Sequence, residues 1–168
     1  MPDNHPARAP FPANPDLEGL QRVINTEIPI CKQMGVRVER LEEGELVMSC
    51  PLSLNRNHQA TAFAGSLNAL CTITGWGATY LETAPLDPRA IIVIRRSNIK
   101  YHRPVDDDLI VAHCKLASEE ERAYFREMLA EKGQAKLNLD VEIGFEAAHG
   151  RSQVVFSGSY VATSEAHA

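Results

Sequence analysis

Apolar and polar positions along the chain follow two periods, one typical of helices and the other typical of strands. After the capping stretch Asn14-Pro15-Asp16, apolar residues such as Leu20 and Ile24 recur at helical spacing, and Pro29 is expected to end this helix. Strict alternation over 135–143 predicts a strand with one buried face. Similar signals predict further strands over 36–41, 45–50, 90–101, 109–116 and 153–162.

A long and almost uniformly apolar helix is predicted from about Ser66 to Glu82. Because apolar residues surround it, this helix must be enclosed by other structure. Gly75 and Gly77 within it each cost about 1 kcal/mol against Ala, which indicates the close approach of a neighbouring strand or a ligand. A stripe of small polar residues, more typical of a packing or subunit seam than of a catalytic row, comprises Asn68, Thr72, Gly75 and Thr79.

The order of the elements places this helix after two strands and before the others. A single, mostly antiparallel sheet of about six strands wrapped around one long central helix buries it most simply, which predicts an α+β protein with the hotdog fold. Another helix is predicted from the capping box of Ser118 and Glu121 to Gly133. The Pro-rich residues 1–13 are predicted to form a flexible arm, and residues 14–165 a single domain.

The strand predicted over 90–101 has two further features. It opens with the apolar run 91–94, which predicts burial on both faces. Basic residues are concentrated only in its later part and just beyond it, at Arg95, Arg96, Lys100 and Arg103. A phosphorylated ligand would be drawn to them, and a solvated strand end is the alternative interpretation.

Composition narrows the classes of function. The chain has 168 residues, 44% of them hydrophobic and 23% charged, with a net charge of −5. Without a basic face we expect no nucleic-acid partner, and no stretch approaches the roughly 20 apolar residues of a membrane span. The start of the chain lacks the apolar segment of a secretory signal. The four cysteines lack zinc or CxxC spacing, so we expect free thiols, a cytoplasmic location and a structural role for Cys71 in preference to a nucleophilic one.

At several places the sequence resembles the hotdog-fold thioesterases of the YiiD C-terminal type. The matching features are Asn55-x-Asn57, Phe63-Ala64-Gly65-Ser66, Gly75-Trp76, Tyr101-x-x-Pro104-Val105 and Gly158-x-Tyr160-Val161-Ala162. They extend the resemblance from about Leu17 to Thr163. The family usually has Phe-Gly-Gly-Ser, so Ala64 is a departure that leaves Gly65 and Ser66 in place.

The resemblance implies a substrate class and a location for the chemistry. Hotdog enzymes act on acyl thioesters of coenzyme A or acyl carrier protein, and the thioester carbonyl meets the start of the central helix. The backbone N–H groups of Gly65 and Ser66 would stabilise the developing oxyanion, aided by the helix dipole. Gly65 would let the carbonyl approach without a Cβ in the way.

The group that activates water is harder to identify, because no Asp or Glu occurs between Ser53 and Leu81. His58 can accept a proton near neutral pH, and Asn57 can orient water or bond the carbonyl. Each has an ordinary alternative: Asn57 as a turn residue, His58 as a surface histidine and Ser66 as a helix cap. Substrate contacts are predicted for Asn55, Thr61, Phe63, Asn68, Thr72, Tyr101 and Arg103.

Our first hypothesis is therefore an acyl thioesterase that works as a homodimer, or a dimer of dimers, with its site at the subunit seam. A non-catalytic acyl-thioester binding module is the alternative, and a hotdog dehydratase is less well supported, since His58 has no acidic partner nearby. No cofactor or metal is expected, because Asp106-Asp107-Asp108 lacks the further ligand pattern of a calcium loop. The negative net charge argues mildly against an acidic carrier protein.

Overall fold

The long apolar helix that the sequence predicts lies at the centre of the structure. A computed structural model describes residues 16–146 and 149–165, so the predicted arm at 1–13 lies outside the described residues. The helices are α1 (Leu17–Glu27), α2 (Pro29–Met34), α3 (Leu52–Asn55), α4 (Ala64–Thr83) and α5 (Glu119–Lys132). The strands are β1 (Arg37–Glu42), β2 (Glu45–Pro51), β3 (Ile91–Tyr101), β4 (Leu109–Lys115), β5 (Gln134–Glu146) and β6 (Arg151–Thr163).

The strands form one antiparallel sheet of six strands in the order β1-β2-β4-β5-β6-β3. Burial along β5 alternates as the sequence predicts: Leu137 and Leu139 are buried, whereas Lys136 and Asn138 are exposed. The buried face of the sheet covers α4, which contacts β2, β3, β4, β5 and β6. The predicted hotdog fold, an α+β arrangement with the sheet wrapped around the central helix, is confirmed.

Two glycines let α4 lie close to its neighbours, as the sequence predicts. A Cβ at Gly75 would collide with the phenol ring of Tyr160, whose hydroxyl donates a hydrogen bond to the Thr72 carbonyl at 2.9 Å. A Cβ at Gly77 would lie 2.5 Å from the terminal methyl of Met48 on β2. The free-energy cost of placing these two glycines inside a helix is therefore offset by tight packing against the sheet.

Strand β3 lies at one edge of the sheet. It pairs with β6 on one side and has no strand partner on the other side within the described residues. Ile91 is 45% exposed and Val93 is 43% exposed. The prediction that the start of this strand is buried on both faces is therefore wrong, because an apolar run shows hydrophobicity but does not show whether a second layer covers it.

Ion pairs connect helix α5 to the C-terminal end of α4. The Glu82 carboxylate accepts from Arg122 Nη1 at 2.9 Å and from Arg126 Nη1 at 2.6 Å, and its side chain is only 12% exposed. Both arginines also bond Glu119 on the first turn of α5. The predicted capping box of Ser118 and Glu121 is present. Glu82 is thus held in ion pairs with α5, at the opposite end of α4 from Gly65.

Three local features differ from the sequence prediction. Pro29 ends α1 but also begins the short helix α2, because proline fits the first position of a helix. Helix α3 was not predicted, since four residues are too few to show a period. Helix α4 begins at Ala64, so Ser66 is its third residue and not its cap.

No helix in the described ranges is long and apolar enough to span a bilayer.

Candidate active site

The first turn of α4 is open to solvent although the helix behind it is buried. Ala64 and Gly65 are exposed, Ser66 is half-buried and Leu67 is buried. The cap residue Phe63 supplies no side-chain hydrogen bond, and the turn contains no acidic residue. Within the described residues the Gly65 and Ser66 N–H groups have no acceptor, whereas Leu67 N–H donates to the Phe63 carbonyl at 3.1 Å. The positive end of a 20-residue helix therefore faces an open surface, which favours a developing negative charge there.

Asn57 organises the loop that leads into this turn. Its Oδ1 accepts the N–H groups of Gln59 at 2.8 Å and Thr61 at 3.2 Å, and its Nδ2 donates to Thr61 Oγ1 at 3.0 Å. Its backbone N–H donates to the Thr61 carbonyl at 2.7 Å, and Ala60 between them has a φ of 62°. The structure thus joins two predicted site residues, Asn57 and Thr61. Since the loop uses most of the bonding capacity of the Asn57 amide, its role in orienting water stays a prediction.

The Phe63–Ser66 and Tyr101–Val105 motifs meet at the start of α4. The Tyr101 hydroxyl at the end of β3 donates to the Ala64 carbonyl at 3.2 Å. The Ala62 N–H donates to the Val105 carbonyl at 2.7 Å. Partial burial raises the pKa of the Tyr101 phenol, so it keeps its proton and remains a donor. These two contacts hold the loop and the first turn of α4 against the segment that follows β3.

Gln153 supports this arrangement, and sequence reasoning missed it. Gln153 is 5% exposed, and its side-chain Nε2 donates to the Pro104 carbonyl at 2.8 Å. Its main-chain carbonyl accepts the His102 N–H at 2.7 Å. Its side chain lies over Gly144, which has a φ of 62° and where a Cβ would collide with Gln153 Oε1. A glycine in a strand marks a bulge or a close approach, so Gly144 was the available signal.

Asn55 and Phe63 fix the approach to the helix. Asn55 is 3% exposed, and its Nδ2 donates to the carbonyls of Met34 and Pro51, each at 2.8 Å. Its main-chain carbonyl accepts the Phe63 N–H at 2.8 Å. The Phe63 side chain is 56% exposed and its ring lies over Gly65, where a Cβ would collide with it. A side chain at position 65 would therefore have to displace the Phe63 ring.

The other predicted site residues occupy different surroundings. His58 is exposed, and its ring has no hydrogen-bond partner in the described part of the chain. Asn68 and Thr72 are half-buried one turn apart on α4, and the Asn68 Oδ1 atom is buried without a protein donor. Arg103 donates to the Arg151 carbonyl at 3.4 Å.

The four cysteines, all among the described residues, are free and buried. Burial is the main cause that raises the pKa of the Cys71 thiol, so it is not a thiolate at neutral pH. This supports the structural interpretation of Cys71. Among the residues that the structure describes, no group of His, Cys, Asp and Glu side chains could hold a metal ion.

An antiparallel sheet wrapped around one long buried helix defines a protein with the hotdog fold. Residues 17–164 match the family described as "Putative thioesterase (yiiD_Cterm)", and the chain belongs to this family.

Solved structures agree with this assignment. A protein of unknown function from Chlorobaculum tepidum is 29% identical, with a TM-score of 0.83 over 92% of this chain and 100% of that chain. A "putative thioesterase" from Shewanella oneidensis is 28% identical, with a TM-score of 0.74 over 88% of this chain and 96% of that chain. A thioesterase from Haemophilus influenzae, 12% identical, shares the fold, with a TM-score of 0.63 over 89% of this chain and 91% of that chain.

Proposed function

We propose that the protein hydrolyses an acyl thioester of coenzyme A or of an acyl carrier protein at the start of α4. The observation that carries the proposal is that the N–H groups of Gly65 and Ser66, in the exposed first turn of a buried helix, have no acceptor within the described residues. Water adds to the thioester carbonyl, whose oxygen becomes an oxyanion held by these two donors. The C–S bond then breaks, so that a carboxylic acid forms and the pantetheine sulfur leaves as a thiol. Loss of one such donor typically lowers kcat by about 10²–10³.

His58 is the proposed acceptor of the proton from water. It lies in the Asn57–Thr61 loop, it is exposed, and its ring makes no hydrogen bond to another described residue. Its imidazole is therefore available, unlike the Asn57 amide, whose atoms bond the loop. Asn57 acts in this proposal by holding the loop that carries His58.

The acyl and pantetheine groups are proposed to run from the first turn along the half-buried side of α4. Phe63, the residue before α4, offers exposed apolar surface there, at 56% exposure. Asn68 Oδ1, buried without a protein donor, can accept an amide N–H of pantetheine, and Thr72 lies one turn further along. Trp76 stacks on Tyr80 with ring centroids 5.4 Å apart, which closes the deeper part of this path.

The dimer is proposed to form through β3. This edge strand of 11 residues has exposed Ile91 and Val93 and, within the described residues, no strand partner on its outer side, so a second copy can pair with it there. Light scattering with size-exclusion chromatography tests this with Val93→Lys, which should give monomers. Leu41→Lys on the other edge strand, β1, is the matched control and should leave the dimer intact. A monomeric wild type would contradict the proposal.

A non-catalytic acyl-thioester binding module is the second candidate. The observation in its favour is the lack of any Asp or Glu between Ser53 and Leu81, which leaves the start of α4 without a carboxylate base from its own segment. Such a module would bind acyl-CoA at the same helix end without releasing thiol. Binding and turnover measured on the same preparation therefore separate the two candidates.

The test is thiol release from short, medium and long acyl-CoAs by wild type, His58→Ala and the control His113→Ala. His113 lies on β4 and bonds Glu45 at 2.9 Å, in a part of the sheet that does not border the first turn of α4. We expect release well above the uncatalysed rate, lost in His58→Ala and kept in His113→Ala. Acyl-CoA binding without release in wild type would overturn hydrolysis in favour of the binding module.

A further inference from the structure

The outer face of the sheet holds a groove beneath α5, with a volume of about 950 Å³. This lies within the range of roughly 300–1,000 Å³ that small-molecule sites occupy. Its floor is formed by residues such as Lys136 and Ser159, which alternate along β5 and β6 with the buried Leu137 and Tyr160. Since Tyr160 reaches Thr72 on α4 from the inner face, the groove lies on the opposite face of the sheet from α4.

A bulge in β3 directs two consecutive arginines into this groove. Neighbouring residues of a strand normally point to opposite faces. Here Ile94 pairs with Tyr160 and Arg96 pairs with Ser159, so that Arg95 stands as an extra residue between them. Bulges re-aim side chains in this way, and both Arg95 and Arg96 line the groove. Both arginines are exposed.

Among the described residues that line the groove, the charged ones are Arg95, Arg96 and Lys136, all cations. None of the three forms an ion pair within the described ranges of the chain. The wall formed by α5 adds Met128 and the ring of Tyr124, which is 62% exposed. The groove thus offers uncompensated positive charge beside an open aromatic face.

We propose that this groove binds a nucleoside phosphate. The guanidinium groups of Arg95 and Arg96 match phosphate oxygens in a bidentate manner, and Lys136 adds a third positive charge. The Tyr124 ring gives the base a surface on which to stack. Inorganic phosphate would leave the aromatic wall unused, and an uncharged apolar ligand would leave the three cations unused. A nucleoside phosphate uses both.

Calorimetric titration tests the proposal with adenosine diphosphate and inorganic phosphate as probes. We expect wild type to bind the diphosphate and the Arg95→Gln/Arg96→Gln variant to bind it at least tenfold more weakly. Tyr124→Ala should weaken binding of adenosine diphosphate several-fold and leave binding of inorganic phosphate unchanged. Lys100→Gln removes an exposed cation of the same strand that does not line the groove, and should stay within twofold of wild type. Thermal unfolding verifies that each variant is folded.

The proposal is overturned if wild type does not bind adenosine diphosphate, or if the Arg95/Arg96 variant binds it as well as Lys100→Gln does. The bound nucleotide could belong to the coenzyme A substrate or be a separate ligand. Steady-state kinetics of acyl-CoA hydrolysis distinguishes the two, and this measurement rests on the proposed function. If the nucleotide is the end of the coenzyme A substrate, KM rises in the Arg95/Arg96 variant while kcat is kept. If it is a separate nucleotide, KM stays unchanged while diphosphate binding is lost. The titration needs no turnover, so a failure of hydrolysis does not affect it.

Discussion

The Tyr101 hydroxyl donates a hydrogen bond to the main-chain carbonyl of Ala64 at 3.2 Å, which joins the end of an edge strand to the first turn of the central helix. Tyr101 lies 37 positions from Ala64 along the chain. The Ala64 carbonyl belongs to the turn whose Gly65 and Ser66 N–H groups have no acceptor in the described residues. Tyr101 therefore positions this turn from a different element of the fold.

Replacing Tyr101 by Phe removes this hydrogen bond and keeps the ring. Since the side chain is 46% exposed, we expect the free energy of unfolding to fall by less than about 1 kcal/mol. If the proposed function holds, kcat/KM for acyl-CoA hydrolysis should fall several-fold, because the proposed oxyanion donors Gly65 and Ser66 depend on the geometry of the first turn. Steady-state kinetics and urea denaturation measure the two quantities. Activity kept in Tyr101→Phe and lost only in Tyr101→Leu would show that the ring matters and the hydroxyl does not.

Gly65→Ala places a methyl group against the Phe63 ring. Alanine is the better helix former by about 1 kcal/mol, but crowding typically costs about 1–3 kcal/mol, so we expect a net loss of stability of about 1 kcal/mol. In a Phe63→Ala background the crowding disappears, and the same substitution should stabilise the protein by about 0.5–1 kcal/mol. A double-mutant cycle by urea denaturation measures this coupling. Equal effects in both backgrounds would exclude contact between the ring and residue 65.

The positions of the six strands and the central helix along the chain were predictable from the sequence, because strand alternation and the long, almost uniformly apolar run of the helix mark these elements clearly. The close packing at Gly75 and Gly77 was also predictable, since glycines inside a buried helix need a reason. The exposure of Ile91 and Val93 was not, because an apolar run does not reveal that its strand lies at an edge.

The candidate site was only partly predictable from the sequence. The motifs that contain Ala64 and Tyr101 were recognised separately, but their contact depends on the tertiary fold. The support from Gln153 to Pro104 was missed, since no local pattern connects residues 49 positions apart. The hydrogen bonds of Asn57 within its own loop agree with its tendency to form turns.

Asn57→Ala and His58→Ala should have very different effects on stability. Asn57→Ala removes the bonds to Gln59, Thr61 and Ala62, and we expect it to lower the free energy of unfolding by about 1–3 kcal/mol. His58→Ala removes an exposed side chain without partners in the described residues, so a change within about 0.5 kcal/mol is expected. Urea denaturation of both variants measures this difference. A large loss of stability in His58→Ala would contradict the proposed availability of its ring.

Glu82 should be a main support of α5. Glu82→Gln removes one of the two carboxylates that Arg122 and Arg126 both contact, and the Glu82 side chain is only 12% exposed. We expect the free energy of unfolding to fall by about 2–3 kcal/mol. Glu131→Gln is the control, because it is exposed on α5 and makes no ion pair in the described residues, and should change stability by less than about 0.5 kcal/mol. Equal stability of the two variants would contradict the role of the Glu82 ion pairs.

Glu119 should make part of the stability depend on pH. The hydrogen bond from Arg126 is the main cause that lowers the pKa of the Glu119 carboxyl, and the charge of Arg122 adds to it. A pKa that is lower in the folded state stabilises the protein above the unfolded value of 4.5, and this contribution is lost as pH falls through the folded value.

Urea denaturation of wild type and Glu119→Gln across the acid range tests this. The difference in unfolding free energy between them should be constant above about pH 6 and should shrink as the pH falls below the unfolded pKa of the carboxyl. The same difference for Glu131→Gln should stay small at every pH, since that residue has no ion pair in the described residues. A gap between wild type and Glu119→Gln that widens on acidification would have the wrong sign. It would show that the two arginines do not hold the Glu119 carboxylate in its charged form.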